Sequence, residues 1–378
     1  MISKARCLSL AFASLLFGCG GTPEAPPADA GPKPEPCQAF VMPADCTIPA
    51  GAVLYGELRC TGLYGNWEKR ALACGVDPYT PTYELWSDGA LKRRFVSLPA
   101  GTAVDVSAVD AFQYPIGTRF WKEFSVVTPA GPRLAETRLM QKVSGGWMYT
   151  SYVWSEDQST AVQNNDGVPN LYGTGHTVPS RTMCKECHAG RADFILGWDA
   201  LMLSDKEGEG LDASSLVARS LVTWTGKESG APSPLALTPP GDATERAALG
   251  YLHANCGVSC HNSTAPALAR ETGLYLRLDA GTLASVHTTL AVTTGIGRSP
   301  SPNAPILDLP VPASGAYVDL SPTQPERSLV LARMKVRGTD AQMPRQATNV
   351  VDPSGVGLVE SWIRAMTPDK GYPAASPP

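Results

Sequence analysis

The chain has 378 residues, 43% of them hydrophobic and 17% charged, with 31 basic residues against 35 acidic and a formal net charge of −4. That length supports roughly two or three buried cores, and an acidic balance with no basic run excludes a nucleic-acid-binding surface. The 36 glycines and 34 prolines interrupt helical periodicity, so loops and short strands are expected to carry much of the fold.

Residues 1–18 read as an export signal. Lys4 and Arg6 form a positive start, and Leu8 to Phe17 is an apolar run too short for an ordinary membrane span. The ending Leu16-Phe17-Gly18-Cys19 resembles the lipobox of bacterial lipoproteins, which implies cleavage before Cys19 and acylation of that cysteine. Gly20 in the next position, where Asp would retain a lipoprotein at the inner membrane, favours the outer membrane by the same resemblance. Residues 19–36, dense in Pro and Ala, are expected to be a tether. Removing residues 1–18 takes away Lys4 and Arg6 and no acid, leaving 29 basic against 35 acidic residues and a net charge of −6.

The ten cysteines divide without remainder. Cys7 lies in the signal and Cys19 is the lipid site. Cys37, Cys46, Cys60 and Cys74 are expected to form two disulfides stapling residues 37–76 in an oxidising compartment, with three connectivities open. A four-cysteine metal site there lacks the paired Cys-x-x-Cys spacing. Cys184, Cys187, Cys256 and Cys260 remain, in two pairs, each followed directly by a histidine.

Residues 77–170 are expected to form an antiparallel β module. Alternation marks strands at Arg93/Phe95, Phe120-Lys122-Phe124, Arg138-Met140-Lys142 and Trp147 to Trp154. Pro99-Ala100-Gly101, Pro129-Ala130-Gly131-Pro132 and Ser144-Gly145-Gly146 supply turns between them. The aromatics of this module read as core and cross-strand packing.

Residues 171–240 contain Cys184-Lys185-Glu186-Cys187-His188. Two thiols three positions apart and an adjacent imidazole are what covalent c-type haem attachment requires: each thiol adds across a vinyl group, and the histidine becomes the proximal iron ligand. A thioredoxin-like pair would need a βαβ context, and a zinc half-site would need a matching second Cys/His pair. Opposite the iron, His176 in a Gly-rich loop and Met202 in an apolar run are candidate ligands, and an open sixth position is a third possibility.

Leu85-Trp86-Ser87-Asp88-Gly89-Ala90, Lys92, Arg94, Pro115-Ile116-Gly117-Thr118, Glu136-Thr137-Arg138 and Tyr152-Val153-Trp154, with Pro179-Ser180-Arg181 ahead of the Cys184 motif and Leu196-Gly197 after it, resemble a group of largely uncharacterised bacterial haem-c proteins. The resemblance runs from about residue 79 to 203 and implies haem binding and electron transfer.

Residues 241–370 carry a second motif, Cys256-Gly257-Val258-Ser259-Cys260-His261, with three residues between its thiols in place of two. The extra residue lengthens the loop between the two anchors and can bulge outward. A plain disulfide between Cys256 and Cys260 is the alternative. Helical periodicity over Glu245 to Asn255, with Asp242 and Thr244 as N-cap candidates, precedes the motif. Met343 in a Met-Pro loop and a second helical stripe of Val356, Val359, Ile363 and Met366 follow it. That order resembles the cytochrome c domain of bacterial envelope proteins and makes Met343 the candidate distal ligand opposite His261. His253 is expected at the surface or supporting the site, and His287 without a role.

The fold class expected is therefore α+β: a disulfide-stapled segment and an antiparallel β module, followed by mostly α-helical, cytochrome c-like haem domains. No catalytic Ser/His/Asp ordering, P-loop or His-Glu-x-x-His motif is found. The sequence points to an exported, lipid-anchored dihaem c-type cytochrome of the periplasm or cell surface, passing single electrons between envelope redox proteins. The alternative is a dihaem peroxidase or oxygenase with an open site on the first haem.

Overall fold

The computed structural model describes residues 37–203, 210–224, 235–306, 309–313 and 315–374. The expected signal, Cys19 and the tether to residue 36 lie outside them. Of the three possible connectivities, the chain adopts Cys37–Cys74 and Cys46–Cys60, one loop nested in the other. Inside the larger loop, β1 (Tyr64–Asn66) and β2 (Ala71–Leu72) make a small antiparallel pair.

The strands that follow are β3 (Asp77–Pro78), β4 (Leu91–Ser97), β5 (Val104–Asp105), β6 (Arg119–Thr128), β7 (Gly131–Val143), β8 (Gly146–Trp154) and β9 (Ala161–Asn164). All but β5 join one antiparallel sheet in the order β3-β4-β6-β7-β8-β9. The four alternating stretches of the sequence are β4, β6, β7 and β8. Two-residue turns close the central hairpins, Pro129-Ala130 between paired Thr128 and Gly131, and Ser144-Gly145 between paired Val143 and Gly146. Such short loops lock the register of the strands they join. At Phe124/Ser125 the register slips, so that Phe124 opposes Glu136 while Ser125 opposes Leu134. Ala135 is the extra residue of a β-bulge.

Period-two alternation then sorts the sheet's side chains onto two faces. The back face carries Phe95, Trp121, Leu139, Tyr152 and Trp154, and the stapled segment covers it with Leu58, Leu63 and Tyr64. Polar tips there are bonded: Trp121 Nε1 donates to Thr61 Oγ1 at 3.1 Å and the Tyr152 hydroxyl to the Tyr55 carbonyl at 2.8 Å. The front face is apolar at one end, where Val96, Phe120 and Trp147 pack with Trp198. Its other end is charged.

The helices are α1 (Arg181–His188), α2 (Ala213–Ala218), α3 (Ala243–Leu252), α4 (Leu290–Gly295), α5 (Leu329–Met334) and α6 (Pro353–Arg364). A last short strand, β10 (Val222–Thr223), pairs in parallel with β5. Asp242 caps α3 in a reciprocal box with Glu245, and Asp352 caps α6 ahead of Pro353. Leu249 and Leu252 of α3 share a core with Val359, Trp362 and Ile363 of α6.

One expectation needs correction. Residues 241–370 are not mostly helical: the four α-helices there run 10, 6, 6 and 12 residues, separated by single 3-10 turns and irregular chain. The cause is local, since Gly297, Pro300, Pro302, Pro305, Pro310, Pro312, Gly315, Pro322 and Pro325 leave no uninterrupted helical stretch between α4 and α5. Among the described residues no helix is long and apolar enough to cross a membrane.

Candidate cofactor site

The first motif lies on α1. Ser180 caps the helix, its hydroxyl accepting from the Met183 amide, and the helical repeat puts Cys184, Cys187 and His188 on one side. His188 Nδ1 lies 2.6 Å from the Phe194 carbonyl oxygen, to which it donates. Phe194 holds a left-handed backbone at φ +60, a conformation that costs a non-glycine residue about 1–3 kcal/mol and collects at functional sites. The bond fixes ring orientation and tautomer, leaving Nε2 with its lone pair free of any hydrogen bond among the described residues.

The second motif repeats this arrangement on different elements. After α3 the chain passes into a π turn over His253–Gly257, with Val258 N donating to the His253 carbonyl at 2.8 Å and His261 N to the Cys256 carbonyl at 2.9 Å. A π turn accommodates one extra residue in a helical path, which is how the additional residue between Cys256 and Cys260 is absorbed. Gly257 is required where the turn meets the segment around Arg277, since a methyl group there would come within 2.3 Å of the Arg277 nitrogen. His261 Nδ1 donates to the Leu274 carbonyl at 3.2 Å, again leaving Nε2 uncommitted.

Burial pushes both rings down to about 4. For His188, Lys122 and Arg138 act in the same direction against the bond to Phe194, and for His261, Arg333 acts so against the bond to Leu274. Neutral imidazole is the metal-binding form. All four motif cysteines are unpaired in this structure, Cys256 and Cys260 included. Burial also raises them, Cys187 and Cys256 to about 12. Among the described residues no three His, Cys, Asp or Glu side chains converge as a metal cluster would.

The two motifs touch. A methyl group on Gly190 would sit 1.9 Å from the Ser259 carbonyl oxygen, so the loop leaving the first motif lies backbone to backbone on the second. Glu186, between Cys184 and Cys187, accepts from Gln346 Nε2 at 2.5 Å. The loop that carries Met343 thereby reaches the first motif as well. Three residues on, Asn349 Nδ2 donates to the Gly175 carbonyl at 2.9 Å and to Thr177 Oγ1 at 3.0 Å, while its amide is held by Asp88. Met343 itself is half-buried and joins none of the apolar clusters.

Against the charged end of the sheet's front face lies a cavity of about 610 Å³ including its open mouth, lined by Cys184 and His188 on the helix side and by Lys122, Arg138, Met140 and Tyr149 on the sheet side. Arg94, Lys122 and Arg138 stand abreast on three adjacent strands. Arg138 grips buried Glu136 through Nε at 3.0 Å and Nη2 at 2.6 Å. Burial alone would raise the Glu136 carboxyl, but the Arg138 charge and the bonds from His176 and Arg138 hold it down to about 2.

His176 is not a solvent-facing loop residue. It is buried, with Nε2 bonded to Glu136 Oε1 at 3.0 Å and its ring 5.6 Å from that of Phe124. Met202 is buried in the α3–α6 core, away from the cavity lining. His253 is buried too: Nδ1 accepts from the Leu278 amide at 3.0 Å, which makes it a brace behind the second motif. His287 Nε2 donates to the Lys370 carbonyl at 3.0 Å. Sequence reasoning gave the sheet-side cations no site role, because only strand register brings Arg94, Lys122 and Arg138 together. No family model, curated protein or solved structure matches this chain.

Proposed function

We propose that the protein is a dihaem c-type cytochrome of the cell envelope that passes single electrons between redox partners. The observation that carries this reading is the pair of neutral imidazoles, half-buried His188 and buried His261, each with Nδ1 tied to a backbone carbonyl and Nε2 uncommitted, and each beside two unpaired thiols.

In this reading Cys184 and Cys187 would hold one haem by thioether bonds and Cys256 and Cys260 the other, His188 and His261 would each ligate an iron, and Met343 would be a further ligand to the second. The haem supplies one-electron chemistry at iron, with potentials set by the axial ligands over about 0.8 V. The chain's own residues do the rest. The Phe194 and Leu274 carbonyls fix the imidazoles and raise their basicity. The Gly190–Ser259 contact keeps the two attachment sites adjacent, and the Glu186–Gln346 bond ties the Met343 loop to the first of them. A lipid at Cys19, a tether over 19–36 and the net charge of −6 would present this assembly to neutral or basic partners from a membrane surface, the outer membrane being favoured.

The test is the full chain produced with haem-maturation machinery. Intact mass and a haem stain after denaturation should show two covalent haems, and Cys184→Ala with Cys187→Ala should remove one. Denatured protein without haem would end the reading. Two covalent haems of which one is high-spin and consumes peroxide would replace the relay with a dihaem peroxidase.

A further inference from the structure

The sheet-side cation Lys122 has no role in the fold as it stands. Arg94, Lys122 and Arg138 are direct cross-strand neighbours, an arrangement that like charges disfavour. Two of the three are answered: Arg138 by Glu136, and Arg94 by Glu84 at 3.3 Å. Lys92, beside them, reaches Glu84 at 3.6 Å and donates to the Leu85 carbonyl at 2.8 Å. Lys122 makes no hydrogen bond and no ion pair among the described residues; its Nζ lies 5.0 Å above the Phe124 ring and borders the cavity that Cys184 and His188 share. A half-buried ammonium without an acceptor is costly, and a bound group in the cavity is what would answer it.

Five groups lining that cavity beside the motif carry a lone pair: Lys122 as the amine, Met140, Tyr149, Tyr79 and Thr150. Tyr79 is packed edge-on against Phe120 and Trp198, and the Thr150 hydroxyl is bonded to Asn165 at 2.9 Å. Tyr149 is stacked on Phe194 with ring centroids 6.4 Å apart and lies under the Arg181 guanidinium. Met140 packs against the apolar cluster around Phe120 and Trp147. The sequence candidates are engaged elsewhere, His176 with Glu136 and Met202 in the α3–α6 core. Arg138 is committed to Glu136, and a guanidinium does not give up its proton.

We propose that Lys122 is the distal ligand of the first haem, binding the iron opposite His188 through Nζ. This rests on the dihaem reading above. On binding, the ammonium releases one proton to solvent and its lone pair fills the sixth position; no electron changes hands. A six-coordinate first haem has no place for peroxide, so the same residue separates a relay from an enzyme.

The experiment uses the haem-loaded full chain and three variants, Lys122→Ala, Lys122→Arg and Lys122→Met, each checked by intact mass for two covalent haems. In the native protein the electron paramagnetic resonance spectrum should show two low-spin haems. Lys122→Ala and Lys122→Arg should each convert one to high-spin with both haems still attached. Lys122→Met, which keeps the side-chain length and so tests the ligand even where Ala does not fold, should return a low-spin signal and about double the sulfur-to-iron charge-transfer absorption. Two unchanged low-spin signals in Lys122→Ala overturn the proposal. So does a Lys122→Arg protein indistinguishable from native, which would make Lys122 a counter-charge to a haem propionate. A native protein with two covalent haems, one of them high-spin, overturns the ligand and leaves the dihaem reading standing; absence of covalent haem overturns both.

Discussion

Met343 and Gly190 show how single residues bear on the site. A methionine is usually core packing, yet Met343 is half-buried, joins no apolar cluster, and sits in a loop pinned through its own amide to the Arg333 carbonyl at 3.0 Å. Replacement by Ala therefore removes little packing. In the haem-loaded protein Met343→Ala should abolish the sulfur-to-iron band in the near-infrared and lower one of two midpoint potentials, with the melting temperature nearly unchanged; an unaltered band would take Met343 off the iron. Gly190 acts through what it lacks. Any side chain there must push the first motif off the Ser259 carbonyl, so Gly190→Val should cost about 1–3 kcal/mol, the usual penalty of overpacking, and slow electron exchange between the two haems in flash photolysis. Equal exchange rates in the variant would show that this contact does not set the spacing. These residues differ in how well they could be read in advance. The motif cysteines and histidines stand out in the sequence because the proposed attachment chemistry demands their spacing. Lys122 is not, since its neighbours Arg94 and Arg138 lie far from it along the chain and meet it only through strand register.

At the scale of elements, the β-bulge on β7 and the π turn after α3 each insert one residue and each re-aim a functional group. The bulge lies beside Glu136, which collects Arg138, His176 and the Ser151 hydroxyl, the last at 3.0 Å. The ordinary carboxyl value is 4.5 and the folded value about 2, so Glu136 stabilises the fold fully above about pH 4.5 and loses that contribution as the pH falls towards 2. A shift of that size corresponds to on the order of 3 kcal/mol. Urea unfolding at a series of pH values should show wild type falling towards Glu136→Gln through this window. A gap that stays constant between pH 7 and pH 3 would contradict it. The π turn bears on the second motif: Cys256→Ala should leave the second haem with one thioether, seen as a shifted absorption maximum of the reduced, denatured protein, whereas an unchanged maximum would mean that Cys256 never reaches a vinyl group. The alternating strands and the capped helices α3 and α6 were readable from periodicity and from Asp242 and Asp352. Neither insertion was placed by pattern, because one residue more or less changes a ladder without changing the alternation on either side of it.

For the whole molecule, the sheet separates two jobs. Its back face is sealed by the stapled segment, where Leu58, Leu63 and Tyr64 meet Trp121 and Trp154; its front face closes the cavity beside Cys184 and His188. Composition could announce the two disulfides, but three pairings satisfy the same cysteine count, and only the fold of 37–76 onto the sheet selects between them. The disulfides span 37 and 14 residues of chain, so loop-closure entropy puts their contributions at about 4 and 3 kcal/mol. They act on the face away from the cavity beside Cys184 and His188. Cys37→Ala with Cys74→Ala should therefore lower the unfolding free energy by about 2–5 kcal/mol while leaving the haem absorption spectrum and both midpoint potentials at native values under folding conditions. Guanidinium titrations followed in parallel by tryptophan fluorescence and by the haem absorption would check both halves of that statement. A potential shifted by more than about 30 mV, which is 0.7 kcal/mol for a one-electron couple, would mean that the stapled segment reaches through the sheet to the iron, and the division of labour between the faces would not hold.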